Sequence, residues 1–325
     1  MKEQQKISLT GGSGHLGTCL IKLLLEQNFH VKALYKNNLP KLNHPNLIWI
    51  KGDVTNKDSI EKLIENTSIL VHSASIISIG DKNQDLVYNT NVHGTEMAIE
   101  SCLNKNIRLI YMSSSNAVIE TKNDDVFDEN RPYKTKSCFL YGYTKALSEQ
   151  NILNAVFTKS LDAFIIRPTS FIGPPDYIPS HFGQTILDMY HGSIPALTTG
   201  GYNLVDVRDI SQTIINSFTK GKTGEIYLVG GNYYNLKEIA LLVNPNRKSI
   251  LIPLGILIFF IPIISIFNKL FKMRWPVTRE SLLILKRAPK NVDSSKAVLI
   301  LDHKIRPIKN TIDDLITWFK TENKL

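Results

Sequence analysis

The chain has 325 residues, 43% hydrophobic and 21% charged, with a mean hydropathy of -0.08. This is ordinary globular composition, long enough for one large domain or a main domain with a smaller companion, and it excludes collagen-like and disordered classes. Thirty-eight basic against 29 acidic residues leave a net charge of +9, which admits nucleic acid, anionic membranes and anionic small molecules as partners without choosing among them.

In chain order, residues 6–10 read as a buried strand, and 15–27 as a helix with Leu16, Leu20, Leu23 and Leu24 on one face. Strands follow at 30–35 and 46–53, a helix at 58–65, a strand at 68–75, a helix at 85–103 and a strand at 107–115. A further helix at 141–157 precedes a strand at 162–170. Strands separated by single helices predict an α/β fold with a doubly wound parallel sheet of the Rossmann kind. After Pro168 the chain turns rich in Pro and Gly, and one more strand-like run appears at 225–231. The expected organisation is a nucleotide-binding domain over 1–170, completed by about 201–231 and interleaved with a smaller substrate domain from 171–200 and 232–325.

Other signals are spare. Cys19, Cys102 and Cys138, with no CxxC, read as free thiols in a reducing compartment. The start MKEQQKISLTGG does not resemble a secretory leader, so a cytoplasmic location is expected. The eight histidines form no HxxxH or HExxH pair, and no metal site is expected.

Between the first strand and helix stands Thr10-Gly11-Gly12-Ser13-Gly14-His15-Leu16-Gly17, which satisfies both GxGxxG and TGxxGxxG. A pyrophosphate needs a turn without Cβ atoms, and a helix N-terminus whose N–H groups and dipole face the anion. The second strand ends in Tyr35-Lys36, where NAD binders usually place an acid for the adenosine ribose. A cation there attracts a 2′-phosphate, so NADP(H) is favoured with NAD(H) as the alternative. Asp53 has two readings, an acceptor for the adenine amino group or a turn cap before Thr55. Val54, and Ser73, Ala74 and Ser75 after the fourth strand, are further candidate cofactor contacts.

Tyr141 and Lys145 stand four apart on one helical face, so both reach one site. A free phenol, with a pKa of about 10, is a poor proton shuttle, and a nearby ammonium would favour the phenolate. Upstream, a strand ends in Ser113-Ser114-Ser115, where a hydroxyl could hydrogen-bond a reacting carbonyl.

With the glycine turn, the serine strand end and YxxxK in this order, the chain resembles the extended short-chain dehydrogenase/reductase family, also called the NAD-dependent epimerase/dehydratase family. Asn91-Val-His-Gly94-Thr95, Arg167-Pro168, Val205-Asp-Val-Arg-Asp209 and Asp293-Ser-Ser-Lys296-Ala297 extend the likeness over nearly the whole length. It is most similar to the dihydroflavonol 4-reductase and 3β-hydroxysteroid dehydrogenase branch. The resemblance implies that Ser115 polarises a carbonyl, that Tyr141 moves the proton, and that Lys145 holds the nicotinamide ribose and lowers the Tyr141 pKa. It further implies that Asn91 braces the sheet and that the backbone at Pro168, Thr169 and Ser170 faces the carboxamide. The family's dehydratases carry an Asp-Glu pair where this chain has Ser115-Asn116, and its epimerases a VYG where this chain has Val118-Ile119-Glu120. Reduction of a ketone or aldehyde to an alcohol, or the reverse, is therefore expected ahead of nucleotide-sugar epimerisation. A non-catalytic dinucleotide sensor is the reading from another class, and no nucleic-acid motif is present.

The substrate pocket is expected between 116–137, 171–202 and the C-terminal third, where Tyr177, Phe182, Met189 and Tyr190 suit either an apolar ligand or a core. Residues 249–268 form a charge-free apolar run with Lys248, Lys269, Lys272 and Arg274 at its flanks. Its length fits a membrane span, but Pro253 and Pro262 divide it, and family-like sequence continues beyond it. A buried or membrane-touching helix is expected there, giving a peripheral membrane contact through 249–268; a homodimer is left open.

Overall fold

Near-continuous apolar runs such as ILVH and AFIIRP are buried along their whole length, as strands covered by helices on both faces must be. The computed structural model describes residues 5–78, 83–121, 125–194, 196–246, 250–257, 259, 261 and 279–325. Its central sheet has seven strands, β1 (Lys6–Thr10), β2 (His30–Tyr35), β3 (Leu47–Lys51), β4 (Ile69–His72), β5 (Arg108–Met112), β7 (Ala163–Pro168) and β11 (Ile226–Val229). They lie in the order β11-β7-β5-β4-β1-β2-β3, with every pairing parallel. This is the expected doubly wound Rossmann sheet, and the order reverses beside β1.

Successive residues of one strand serve opposite layers. Val71, Ile110, Phe164 and Ile166 face a core shared with helices α1 (His15–Glu26) and α7 (Val207–Lys220). Their neighbours Leu70, Leu109 and Ile165 face a second core shared with α2 (Lys57–Ile64), α4 (Gly94–Lys105) and α5 (Leu140–Lys159). A third cluster, with Ile186, Leu204, Leu236, Leu282, Ile312 and Phe319, organises the C-terminal part. Ala297 and Leu301 instead join the first core, so residues 295–301 of the C-terminal stretch pack against the nucleotide half.

Three small sheets escaped the sequence reading. β8 (Ser170–Ile172), β10 (Gly201–Asp206) and β12 (Asn232–Asn235) form one of them. β9 (Ala196–Thr198) pairs with β13 (Ile250–Ile252), and β6 (Val126–Phe127) with β14 (Asn291–Val292). The run at 162–170 therefore serves two sheets: β7 ends at Pro168, which has no N–H to extend the ladder, and β8 begins in another. The helix expected at 85–103 is α3 (Gln84–Tyr88) and α4 joined through a π-helical turn, Asn89–His93.

Of the apolar run, residues 249, 258, 260 and 262–268 lie outside the described residues, as do Lys248, Lys269, Lys272 and Arg274. Residues 254–257, 259 and 261 are helical. Among the described residues no helix is long and apolar enough to cross a membrane.

Candidate active site

The glycine turn closes on itself. Gly11 adopts φ +72° and its carbonyl accepts from Gly14 N–H at 3.0 Å. A Cβ on Gly17 would lie 2.1 Å from that carbonyl, and one on Gly11 would meet Ala74 N at 2.8 Å, so both positions require glycine. Gly14 is the N-cap of α1, with no capping side chain and no acid in the first turn. Exposed Ser13 and Gly14 thus border a helix end suited to an anion. Leu16 is buried beneath, Ser73 Oγ donates to Thr10 O at 2.7 Å, and Ala74 N donates to Thr10 Oγ1 at 3.2 Å. His15 turns toward the β8 end, with Nε2 2.7 Å from Gly173 O.

At the end of β2, Tyr35 packs edge-on to Trp49, and Lys36 Nζ lies 2.7 Å from Asp53 Oδ2. Asp53 Oδ1 accepts from Thr55 N and Thr55 Oγ1, both at 3.0 Å. Burial would raise the Asp53 carboxyl, but its bonds to Lys36 and Thr55 outweigh this and hold it below the usual range. Of the two readings of Asp53, the structure displays the turn cap, with the Lys36 pair added. Val54 is buried, and a Cβ on Gly94 would meet it at 2.9 Å.

Tyr141 stands in the first turn of α5, with its hydroxyl in the neighbourhood of the Ser114 and Ser75 side chains. Burial pushes the phenol up to about 12, with the two serines pulling the other way. Lys145 is buried one turn on; its Nζ donates to Met112 O at 2.7 Å and sits 4.8 Å from the Tyr111 ring centroid. Burial pulls this ammonium down to about 7, against the attraction of Glu149. Desolvation dominates the Tyr141 phenol, and Lys145 is bonded to a backbone carbonyl.

Ser114, beside the expected Ser115, also lies near Tyr141. Ser114 Oγ accepts from Asn116 N at 3.1 Å and caps the 3-10 turn Ser115–Ala117, which leaves its own proton free to donate. Ser115 begins that turn.

Asn91, in the π-helical turn, ties these parts together. Its Oδ1 accepts from Ser75 Oγ at 3.1 Å and Ile76 N at 2.8 Å, while Nδ2 donates to Ile76 O and Thr144 Oγ1, each at 3.1 Å. The Asn91 carbonyl accepts from Thr95 Oγ1 at 2.6 Å and Ser148 Oγ at 2.9 Å. A π turn displaces the helical hydrogen-bond ladder, and such turns frequently occur at functional sites. Beneath it lies buried His72, with Nδ1 2.9 Å from Thr10 Oγ1 and Nε2 3.4 Å from Thr95 Oγ1. Burial, then Lys145, drives His72 down to about 3, so it is neutral. On the far side of α5, Arg167 grips Glu149 through two bonds of 3.1 and 2.6 Å, both side chains fully buried.

Pro168 ends β7, Thr169 is buried and Ser170 starts β8. Thr169 Oγ1, Ser113 Oγ and His15 Nδ1 are buried without a hydrogen-bond partner among the described residues. The apolar side chains offered as pocket walls serve as packing: Tyr177 meets Trp318 edge-on at 5.0 Å, Phe182 meets Tyr202 at 4.9 Å, and Met189 and Tyr190 belong to the third core. Among the described residues no group of three or more His, Cys, Asp or Glu could hold a metal ion.

The 3-beta hydroxysteroid dehydrogenase/isomerase family matches residues 8–191. The chain is 28% identical over 326 residues to sterol demethylase protein B of Methylococcus capsulatus, covering 96% of this chain and 97% of that one. The crystal structure of gox2253 superposes with a TM-score of 0.85 at 25% identity, covering 99% and 100% of the two chains. The dTDP-glucose 4,6-dehydratase of Bacillus anthracis, solved in complex with NAD, shares the fold with a TM-score of 0.77 at 18% identity, covering 98% and 97%.

Proposed function

The chain belongs to the 3-beta hydroxysteroid dehydrogenase/isomerase family of enzymes, and on that premise we propose that it interconverts a ketone or aldehyde and its alcohol with a nicotinamide dinucleotide. The observation that carries the reading is Tyr141 in the first turn of α5, near Ser75 and Ser114, with buried Lys145 one turn away and bonded to the end of β5.

The residues present fit such a cofactor. The turn at Thr10, Gly11, Gly12, Ser13, Gly14, His15, Leu16 and Gly17 is a cradle that a Cβ would fill, and the orphaned polar atoms of His15, Ser113 and Thr169 lack partners that a polar ligand would supply. Tyr35 and Lys36 would hold the adenosine ribose, with a 2′-phosphate favoured, and Asp53 and Val54 the adenine. Ser73, Ala74 and Ser75 would line the cleft, and Pro168, Thr169 and Ser170 the carboxamide. When bound, the dinucleotide supplies the hydride chemistry.

The side chains supply position and the proton. A Tyr141 phenol raised to about 12 retains its proton at neutral pH and can give it to the carbonyl oxygen as negative charge develops there. The Ser114 hydroxyl, with its oxygen already accepting from Asn116 N, donates to the same oxygen. Ser114 thereby takes the part that the resemblance implied for Ser115. Lys145 would hold the nicotinamide ribose, and Asn91 fixes Ser75 and, through Thr144, the helix that carries Tyr141.

A panel of ketones and aldehydes incubated with NADPH or NADH tests the proposal. Tyr141→Phe is expected to lose about a thousandfold in turnover, with dinucleotide affinity nearly unchanged and Ser114→Ala more damaging than Ser115→Ala. Full activity in Tyr141→Phe overturns the mechanism, and product without net cofactor oxidation replaces reduction by epimerisation.

A further inference from the structure

Between the glycine turn and Tyr141 the core carries a line of polar side chains. Thr10, His72, Thr95, Asn91 and Thr144 are each at most 2% exposed. They come from five different pieces of the chain: β1, β4, α4, the π-helical turn and α5. Buried polar groups cost free energy unless each is bonded, so the bonds in such a line must be consistent from end to end.

Counting protons gives the direction of every bond. Thr144 donates to Tyr141 O at 2.8 Å, so its oxygen accepts from Asn91 Nδ2 at 3.1 Å. Thr95 spends its single proton on Asn91 O at 2.6 Å. Toward His72 Nε2, 3.4 Å away, Thr95 can therefore only accept, and Nε2 must carry a hydrogen. Burial, then Lys145, keeps His72 neutral. Its Nδ1 is thus bare and accepts from Thr10 Oγ1 at 2.9 Å. Thr10 Oγ1 accepts in turn from Ala74 N at 3.2 Å, and Ala74 N abuts Gly11, where a Cβ would meet it at 2.8 Å. The bonds run one way, from the floor of the glycine turn through Thr10, His72 and Thr95 to Asn91. From Asn91 the side chain continues to Thr144 and the backbone of Tyr141, and its carbonyl also accepts from Ser148 of α5 at 2.9 Å.

We propose that His72, as the Nε2–H tautomer, is a positioning residue that holds the glycine turn and the Tyr141 helix in one register. A dinucleotide bound at the turn then meets a tyrosine already in place. Fully buried, His72 acts through Thr10 on one side and through Thr95 and Asn91 on the other. This role rests on the proposed function, but the tautomer is read without turnover.

Nitrogen-15 NMR of the full chain with labelled histidines, the His72 signals being those lost in His72→Gln, should show a neutral ring with its hydrogen on Nε2 at pH 7. A hydrogen on Nδ1, or a cationic ring, overturns the proposal. The kinetic test uses Thr10→Val and Thr95→Val, which remove hydroxyls with little change of shape and which communicate through His72. Each should lower kcat at saturating NADPH and carbonyl by about tenfold, with KM for the carbonyl nearly unchanged. The double variant should be no slower than the worse single one, because one break already opens the line. Losses that multiply, as from two independent struts, overturn the proposal. His72→Leu should lose as much, and His72→Gln, whose amide can still donate to Thr95, should recover part of it. A folded His72→Leu with wild-type kcat overturns the proposal; if that variant does not fold, the threonine pair decides. Wild-type protein that reduces no carbonyl fails the proposed function and takes this role with it. Wild-type activity that all these variants retain fails the role of His72 alone.

Discussion

The scaffold under Tyr141 and the rim of the cofactor cleft treat buried polar groups in opposite ways. In the scaffold, Asn91, His72, Glu149 and Arg167 have each polar side-chain atom paired within the chain. At the rim, His15 Nδ1, Ser113 Oγ and Thr169 Oγ1 are buried without such partners. A satisfied network over-determines its geometry, whereas an unsatisfied group carries a desolvation cost that a ligand can relieve. On the proposed function, the scaffold holds the tyrosine still and the rim leaves polar groups for the dinucleotide.

Substitutions can break this contrast. The largest effect is expected from Arg167→Met, which strands the Glu149 carboxylate in the core and should cost about 3–5 kcal/mol in denaturant unfolding. Adding Glu149→Leu should recover part of the loss, because removing both charges also removes their desolvation cost. Asn91→Ala should destabilise by about 1–3 kcal/mol. It should also lower turnover by on the order of tenfold in a steady-state assay, since Ser75 and Thr144 lose their common anchor. At the rim the pattern should invert. Thr169→Val should leave unfolding unchanged within about 0.5 kcal/mol yet weaken dinucleotide binding several-fold by calorimetry, having removed a hydroxyl with no partner in the chain. Equal stability losses at Thr169 and Asn91 would erase the distinction.

The smallest effect at working pH concerns His72. Its folded pKa of about 3 lies below the ordinary 6.5, so the unfolded chain binds more protons between those values. Stability is fully present above pH 6.5 and is lost as pH falls toward 3. Unfolding midpoints measured across that window should decline, and less steeply in His72→Gln.

Much of this site was legible as spacing. The glycines of the turn, and Tyr141 and Lys145 on one helical face, are local patterns whose geometry follows from backbone sterics and the 3.6-residue helical repeat. Other features were illegible for the same reason inverted: Asn91 gave no sign that it would bond Ser75 and Thr144, and Lys36 and Asp53, 17 positions apart, offered no sign that they would pair. The aromatic residues at 182 and 190 looked equally suited to a pocket or a core, and packing partners far along the chain placed them against the third core, whereas Tyr177 meets Trp318 at the surface.

By itself the sequence determined the parallel α/β order, the glycine turn and the placing of Tyr141 and Lys145 on one helical face, because each follows from local spacing. Only the tertiary structure decided that Asn91 bonds Ser75 and Thr144 from a π-helical turn, that burial dominates the Tyr141 phenol, and that Ile250 and Ile256 face outward. These depend on desolvation and on hydrogen bonds between residues far apart in sequence, which are set when the elements pack.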